Sequence, residues 1–118
     1  MSLVTKKDYW VVFTYYCDDP NGKVSLHDVE DLRHRLYRTF ARSESFLMKS
    51  NFFTNLKQSK AMFYCVVSDR KLAERIEIRM SHMIKDGVVG GEAQHASNLK
   101  DVRHLVRRQK RFFRYNLK

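Results

Sequence analysis

Residues 8–17, DYWVVFTYYC, are β-branched and aromatic and contain no glycine or proline. Side chains of this kind suit the pleated, half-buried surface of a sheet, so the stretch predicts a central β-strand. The five residues that follow, DDPNG, favour a turn and end the strand. A second run at residues 61–68, AMFYCVVS, has the same character and predicts a second central strand.

Two helices are predicted, one before and one after the second of these strands. In residues 25–42 apolar side chains recur at spacings of three and four, and Ser25 is a favourable N-cap. Residues 70–85 repeat the pattern after Asp69, which is also a favourable cap, and Gly87 is a natural stop.

The remaining segments complete the order of elements. We expect a strand at residues 45–53 and a loose segment at residues 88–98, VVGGEAQHASN, whose first residues form a short strand at most. Two helices that each cross between strands predict a split βαβ arrangement with both helices on one face of the sheet. The prediction is therefore an α+β fold, a ferredoxin-like sandwich at residues 1–90, with an added loop and basic C-terminal helix at residues 91–118.

The second face of such a sheet needs a cover. Side chains alternate along each strand, and we predict that the sets containing Phe13 and Phe63 face the two helices. The other sets would form an apolar face too large to leave in water, and they contain Trp10, Tyr16, Met62 and Tyr64. Three covers are open: the C-terminal helix, a second subunit in a homodimer, or single-stranded nucleic acid stacked on the aromatic rings.

Positive charge is concentrated at the end of the chain. The formal net charge is +10, and residues 101–118 hold seven basic side chains and one acidic one. As a helix, this segment has one apolar side, and cations occupy the rest of its surface: Arg103, Arg107, Arg108, Lys110, Arg111 and Arg114. The planar fork of arginine binds phosphate through two hydrogen bonds at once, so the pattern predicts binding of RNA or DNA.

The third-strand segment KAMFYCVV, residues 60–67, resembles the RNA recognition motif family at Lys60 and Tyr64. Met62 stands where that family has an aromatic residue, and Ala61 stands where it has glycine. The resemblance covers the layout of residues 8–85. It implies that Trp10, Tyr16 and Tyr64 stack on bases.

A second resemblance concerns size, element order and the acids after the first strand. Asp18 and Asp19, in YYCDDP, stand where small dimeric CRISPR-associated adaptation nucleases have an aspartate, and the layout is also similar to that of GhoS-type antitoxin endoribonucleases. This resemblance implies a ferredoxin-like nuclease in which Asp18 or Asp19 takes part in metal-dependent cleavage. Solvated turn residues explain the same two acids.

Other chemistry has little support in the sequence. Cys17 and Cys65 lie in strands without a metal-ligand spacing, which predicts buried thiols in a cytoplasmic protein, and no metal or cofactor is expected. Glu92 and His95 could form an acid–base pair on a mobile loop. No apolar run is long enough to span a membrane.

These observations leave three functions. The first is a non-catalytic nucleic-acid-binding module, as a homodimer, that grips phosphates with the arginine-rich helix. The second is a small nuclease of the same fold, so whether the chain is an enzyme is open. The third is a host- or phage-encoded inhibitor module whose basic surface binds a protein partner.

Overall fold

The computed structural model describes residues 8–17, 26–51, 53–55, 60–82 and 88–115. The strands are β1 (Tyr9–Cys17), β2 (Phe46–Lys49), β3 (Phe53–Asn55), β4 (Lys60–Val67) and β5 (Val88–Ala96). The helices are α1 (Leu26–Phe40), α2 (Arg70–His82) and α3 (Leu99–Tyr115). None of the helices in the described ranges is long and apolar enough to cross a membrane.

The five strands form one antiparallel sheet in the order β2-β4-β1-β5, and β3 also pairs with β4. β1 and β4 are central neighbours, as their apolar sequences predict. The strand order and the two crossing helices confirm the predicted α+β, ferredoxin-like class.

Side-chain caps begin the second and third helices. A carboxylate oxygen of Asp69 accepts a hydrogen bond from the backbone N–H of Lys71 at 3.1 Å, and the amide oxygen of Asn98 accepts one from the N–H of Asp101 at 2.8 Å. Each cap satisfies a backbone donor that the first helical turn leaves unpaired. The predicted cap of the first helix, Ser25, lies outside the described residues.

The strand predicted at residues 45–53 is interrupted around Ser50. The Ser50 hydroxyl accepts a hydrogen bond from the backbone N–H of Tyr64 at 2.8 Å and donates one to the carbonyl of Asn51 at 2.7 Å. Its own carbonyl accepts a hydrogen bond from Nη1 of the buried Arg33 at 3.0 Å. The N–H of Ser50 still donates to the carbonyl of Tyr64 at 2.8 Å, but the Ser50 hydroxyl replaces its carbonyl as the acceptor in the ladder. The segment therefore divides into β2 and β3.

The loop predicted at the start of the C-terminal region is wrong. Residues 88–96 form a full strand, β5, which pairs with β1 and crosses the boundary predicted at residue 90. Thr14 pairs with Gly91 and Tyr15 pairs with Val89, so Gly90 is an extra residue between them. The glycine pair therefore belongs to a β-bulge, which glycine favours as readily as a turn.

The two faces of β1 are the reverse of those predicted. In the register of β1 with β4, Val12 lies opposite Cys65 and Thr14 lies opposite Phe63. Residues that lie directly opposite each other point to the same side of a sheet. The set containing Trp10 therefore shares the face of Phe63 under α1 and α2, whereas Phe13 shares the other face with Tyr64.

Each face of the sheet carries its own hydrophobic core. The core under α1 and α2 contains large buried side chains from both helices and from the sheet, among them Leu36, Tyr37, Phe63, Ile76 and Met80. On the opposite face α3 packs its apolar side on the central strands. The C-terminal helix thus covers the sheet's second face. The core between this face and α3 contains Val11, Phe13, Met62, Val66, Val102, Val106 and Phe113.

A few polar atoms are buried in the core under α1 and α2. Thr14 donates a hydrogen bond through Oγ1 to the sulfur of Met80 at 2.6 Å, and its Oγ1 lies 3.5 Å from the hydroxyl of Tyr37. Burial raises the pKa of the Cys65 thiol to about 12 and raises that of Tyr37 well above its usual value. These groups therefore stay neutral and serve packing.

Replacing Phe113 with alanine tests the packing of α3 on the sheet. Phe113 is only 4% exposed, and removing a buried phenylalanine side chain costs about 3 to 5 kcal/mol because it leaves a cavity. We expect the free energy of unfolding, measured in urea, to fall by about this amount. Leu99→Ala, at a residue of the same helix that is 55% exposed, is the control and should change it little. Equal effects of the two substitutions would contradict the packing.

The thiol of Cys65 should be unreactive in the folded protein. Thiolate is the reacting form, and burial both raises the thiol pKa to about 12 and blocks access. In a Cys17→Ser background, we expect a disulfide reagent at mildly alkaline pH to label Cys65 only as fast as the chain unfolds. Stability should fall as the pH rises from the usual thiol pKa towards 12, because only the unfolded chain then releases the proton. Rapid labelling in native buffer would contradict this burial.

Candidate nucleic-acid interface

α3 lies on the sheet with one side buried and the rest of its surface in solvent. Val102, Val106 and Phe113 are buried against the sheet, and the side-chain amide of Gln109 donates a hydrogen bond to the hydroxyl of Tyr15. Burial and the nearby carboxylate of Glu92 raise the pKa of Tyr15 to about 12, so this hydroxyl stays neutral as an acceptor. The helix is therefore fixed by apolar packing and by this hydrogen bond.

The solvent side of α3 carries the cations that the sequence predicted for the interface. The structure describes five of the predicted side chains as exposed, together with Lys100, over about three turns of the helix: Lys100, Arg103, Arg107, Arg108, Lys110 and Arg111. Arg114 lies within the helix, but its side chain is outside the described residues. The helix brings all of these residues onto one rod about 25 Å long, at a rise of about 1.5 Å per residue.

The three helices differ sharply in charge. By sequence, α1 has three acidic and three basic residues, α2 has two acidic and four basic residues, and α3 has one acidic and seven basic residues. Ion pairs at helical spacing occur in α1, between Asp31 and Arg35 at 3.0 Å, and in α2, between Glu74 and Arg70 at 3.1 Å. Among the described residues, the arginines of α3 take part in no ion pair.

A cleft lies between α3 and the β2 side of the sheet. Its volume is about 270 Å³, and Met48, Tyr64, Val102 and Val106 form its apolar part. Three cations of α3 line the same cleft: Arg103, Arg107 and Lys110. One border of the basic surface thus adjoins an apolar recess.

Aromatic rings fix the end of this cleft. The ammonium of Lys110 lies 4.3 Å from the centroid of the Phe53 ring, a cation–π contact. Phe53 in turn lies parallel to the ring of Tyr64, with centroids 6.4 Å apart. These contacts hold the Lys110 ammonium beside β3.

The aromatic residues predicted to stack on nucleic acid do not form one surface. Tyr64 is buried under α3 and 8% exposed. Trp10 lies half-buried on the opposite face, with its ring centroid 4.8 Å from that of His95 and 5.9 Å from the guanidinium carbon of Arg70. The side chain of Tyr16 lies outside the described residues. Of the three covers that the sequence left open for this face, the structure has α3, so Tyr64 is not free to stack on a base.

Of the candidate catalytic groups, Glu92 and His95 lie among the residues that the structure describes. Asp18 and Asp19 lie outside the described residues. Glu92 pairs with Phe13 and His95 pairs with Trp10, so their side chains project from opposite faces of the sheet and do not form the acid–base pair that the sequence allowed. His95 instead contacts Asp8, with Nε2 2.9 Å from the carboxylate, at an exposed position. Within the described ranges, no three histidine, cysteine or acidic side chains group in a way that could hold a metal ion.

Sequence reasoning missed Met48 and Phe53 as members of the interface. Both lie in short strands whose side-chain direction depends on the break at Ser50 and on a register shift in β2 between Phe46 and Met48. No periodic signal in the sequence reveals that break. A serine between two short apolar runs is the one local feature that accompanies it.

Comparisons with known proteins support the fold. No protein-family model matches the chain, and no curated protein is significantly similar to it. Its structure is similar to that of a mutant of SnoaB, a cofactor-independent oxygenase from Streptomyces nogalater, with a TM-score of 0.53 and 11% identity over 78% of this chain and 93% of that chain.

Protein SO0527 from Shewanella oneidensis is similar at a TM-score of 0.53 and 9% identity, over 76% of this chain and 90% of that chain. At these identities the likeness concerns the small α+β fold alone.

Proposed function

We propose that this protein binds nucleic acid without catalysis and that the solvent side of α3 grips the phosphates. The observation that supports this most is the excess of cations on α3, which form no ion pairs among the described residues. Because α3 packs on the sheet through its apolar side, these cations are held on its solvent side. A field of this kind attracts polyanions, and arginine has the geometry to bind their phosphates.

The cations repel one another in the free protein. Arg103, Arg107 and Arg111 follow at spacings of four residues, at which like charges destabilise a helix by roughly 0.2 to 0.5 kcal/mol per pair. A phosphate chain along the helix would relieve this repulsion and release its own counterions. The row of arginines therefore favours binding of a polyanion.

A membrane surface is a poorer partner for the same helix. Amphipathic helices that lie in a membrane bury their apolar side among the lipids. In α3 that side already packs on β1 and β4 through Val102, Val106 and Phe113. Only the charged side is available, which favours a partner that is bound through its phosphates.

The proposed binding does not require a second chain to cover the sheet. A homodimer was expected as a possible cover for the second sheet face, but α3 covers that face. Dimerisation is therefore not needed for the proposed binding. The buried free thiol of Cys65 fits a cytoplasmic location, which remains part of the proposal.

Salt dependence of binding to labelled single-stranded RNA, single-stranded DNA and duplex DNA tests the proposal. If about six phosphates are neutralised, the logarithm of affinity should fall with the logarithm of salt concentration at a slope of about −4 to −5. Replacing Arg108 and Arg111 together with glutamine should make the slope shallower by about 1.4 to 1.8, as measured by fluorescence anisotropy.

A matched control removes two cations from elsewhere on the protein. Arg35→Gln with Arg70→Gln makes the same change in net charge at exposed residues that are paired with Asp31 and Glu74. It should leave the slope almost unchanged. A flat salt response of the unaltered protein, or equal effects of the two double variants, would contradict the proposed interface. Point variants are preferable to removing α3, which would expose Phe13 and Met62.

A further inference from the structure

The cleft beside α3 has a lining that the rest of the basic surface lacks. We infer that it takes one unstacked base of a single-stranded nucleic acid, while Arg103, Arg107 and Lys110 bind the phosphates on either side of that base. The inference rests on the proposed function and makes it narrower. It specifies that the ligand is single-stranded and that one of its bases enters the cleft.

The three cations of the cleft lie in a row along α3 rather than in one cluster. Arg103, Arg107 and Lys110 occur at spacings of four and three residues, so there is about one cation per turn along one border of α3. Such a row suits successive phosphates of a chain. Lys110 is already held in place over Phe53, which reduces the conformational freedom that it would lose on binding.

The apolar wall of the cleft suits a base. Met48 is 44% exposed in the free protein, and Tyr64, Val102 and Val106 line the same cleft. Methionine is flexible and polarisable, so it can adapt to the flat surface of an aromatic ring. Contact with a base would bury this exposed thioether, which a bare phosphate group would leave in water.

The size of the cleft and the nature of its walls favour a single strand over a duplex. A volume of about 270 Å³ is close to the lower end of small-molecule sites, about 300 to 1,000 Å³, so the cleft suits one small planar group. In a duplex the bases are stacked and paired, so none can enter a side cleft without being flipped out. In a single strand the bases are free to turn towards the apolar wall.

Two neighbouring substitutions in β2 test the inference. Met48→Glu places a carboxylate in the cleft, whereas Leu47→Glu places the same charge on the adjacent residue, which is 47% exposed and does not line the cleft. Both positions are exposed, so both variants should fold. The probes are fluorescein-labelled oligouridine, oligothymidine and a duplex DNA of the same length, measured by anisotropy at one low salt concentration.

We expect the unaltered protein to bind the single strands more tightly than the duplex. Met48→Glu should weaken single-strand binding about tenfold or more, the order of effect of losing one base contact, and should affect the duplex much less. Leu47→Glu should weaken binding to both kinds of probe slightly and equally.

Two results would overturn the inference while leaving the proposed function intact. One is salt-steep binding in which Met48→Glu and Leu47→Glu have equal effects on the single strands. The other is binding of the duplex as tightly as the single strands. Absence of salt-dependent binding to every probe would instead overturn the proposed function and the inference with it.

Discussion

The packing of α3 on the second face of the sheet is the interaction on which the rest of the structure depends. The central strands present apolar side chains on both faces, and α1 and α2 cover only one of them. Val102, Val106 and Phe113 bury the other face under α3. The same contact fixes the direction in which the cations of α3 point and creates the cleft between α3 and β2. The packing of α3 on the sheet thus forms the second core, sets the position of the cations and creates the cleft.

The sequence was a good guide where a property depends on neighbours along the chain. The apolar character of the two central strands, the cap at Asp69 and the amphipathic pattern of α3 are local, and the structure contains them all. Which way a strand faces depends instead on its register with a distant partner. The alternation in β1 fits either orientation, and only the pairing of Thr14 with Phe63 decides it.

The errors at the candidate site have the same origin. Gly90 suggested a turn because glycine permits both turns and bulges, and only the long-range pairing of β5 with β1 distinguishes them. The sequence left three covers open for the face that contains Tyr64, because which element packs on a sheet is decided by long-range contacts. Met48 and Phe53 belong to the candidate site because the strand is interrupted at Ser50. That interruption depends on hydrogen bonds of Ser50 with Arg33 and Tyr64, which are distant in sequence. The cations of α3, in contrast, were found because charge is visible in the sequence itself.

The position of α3 after every strand has a consequence for synthesis of the protein on the ribosome. Chains emerge from the N-terminus at roughly 5 to 20 residues per second, so every strand has been synthesised before α3 is complete. During that interval Val11, Phe13 and Met62 lie on an uncovered apolar surface. The sheet's last strand, β5, must also find β1 across most of the chain, which slows its closure. The nascent chain is therefore most exposed to misassociation just before α3 emerges, and the helix that carries the charge is also the one that ends this exposure.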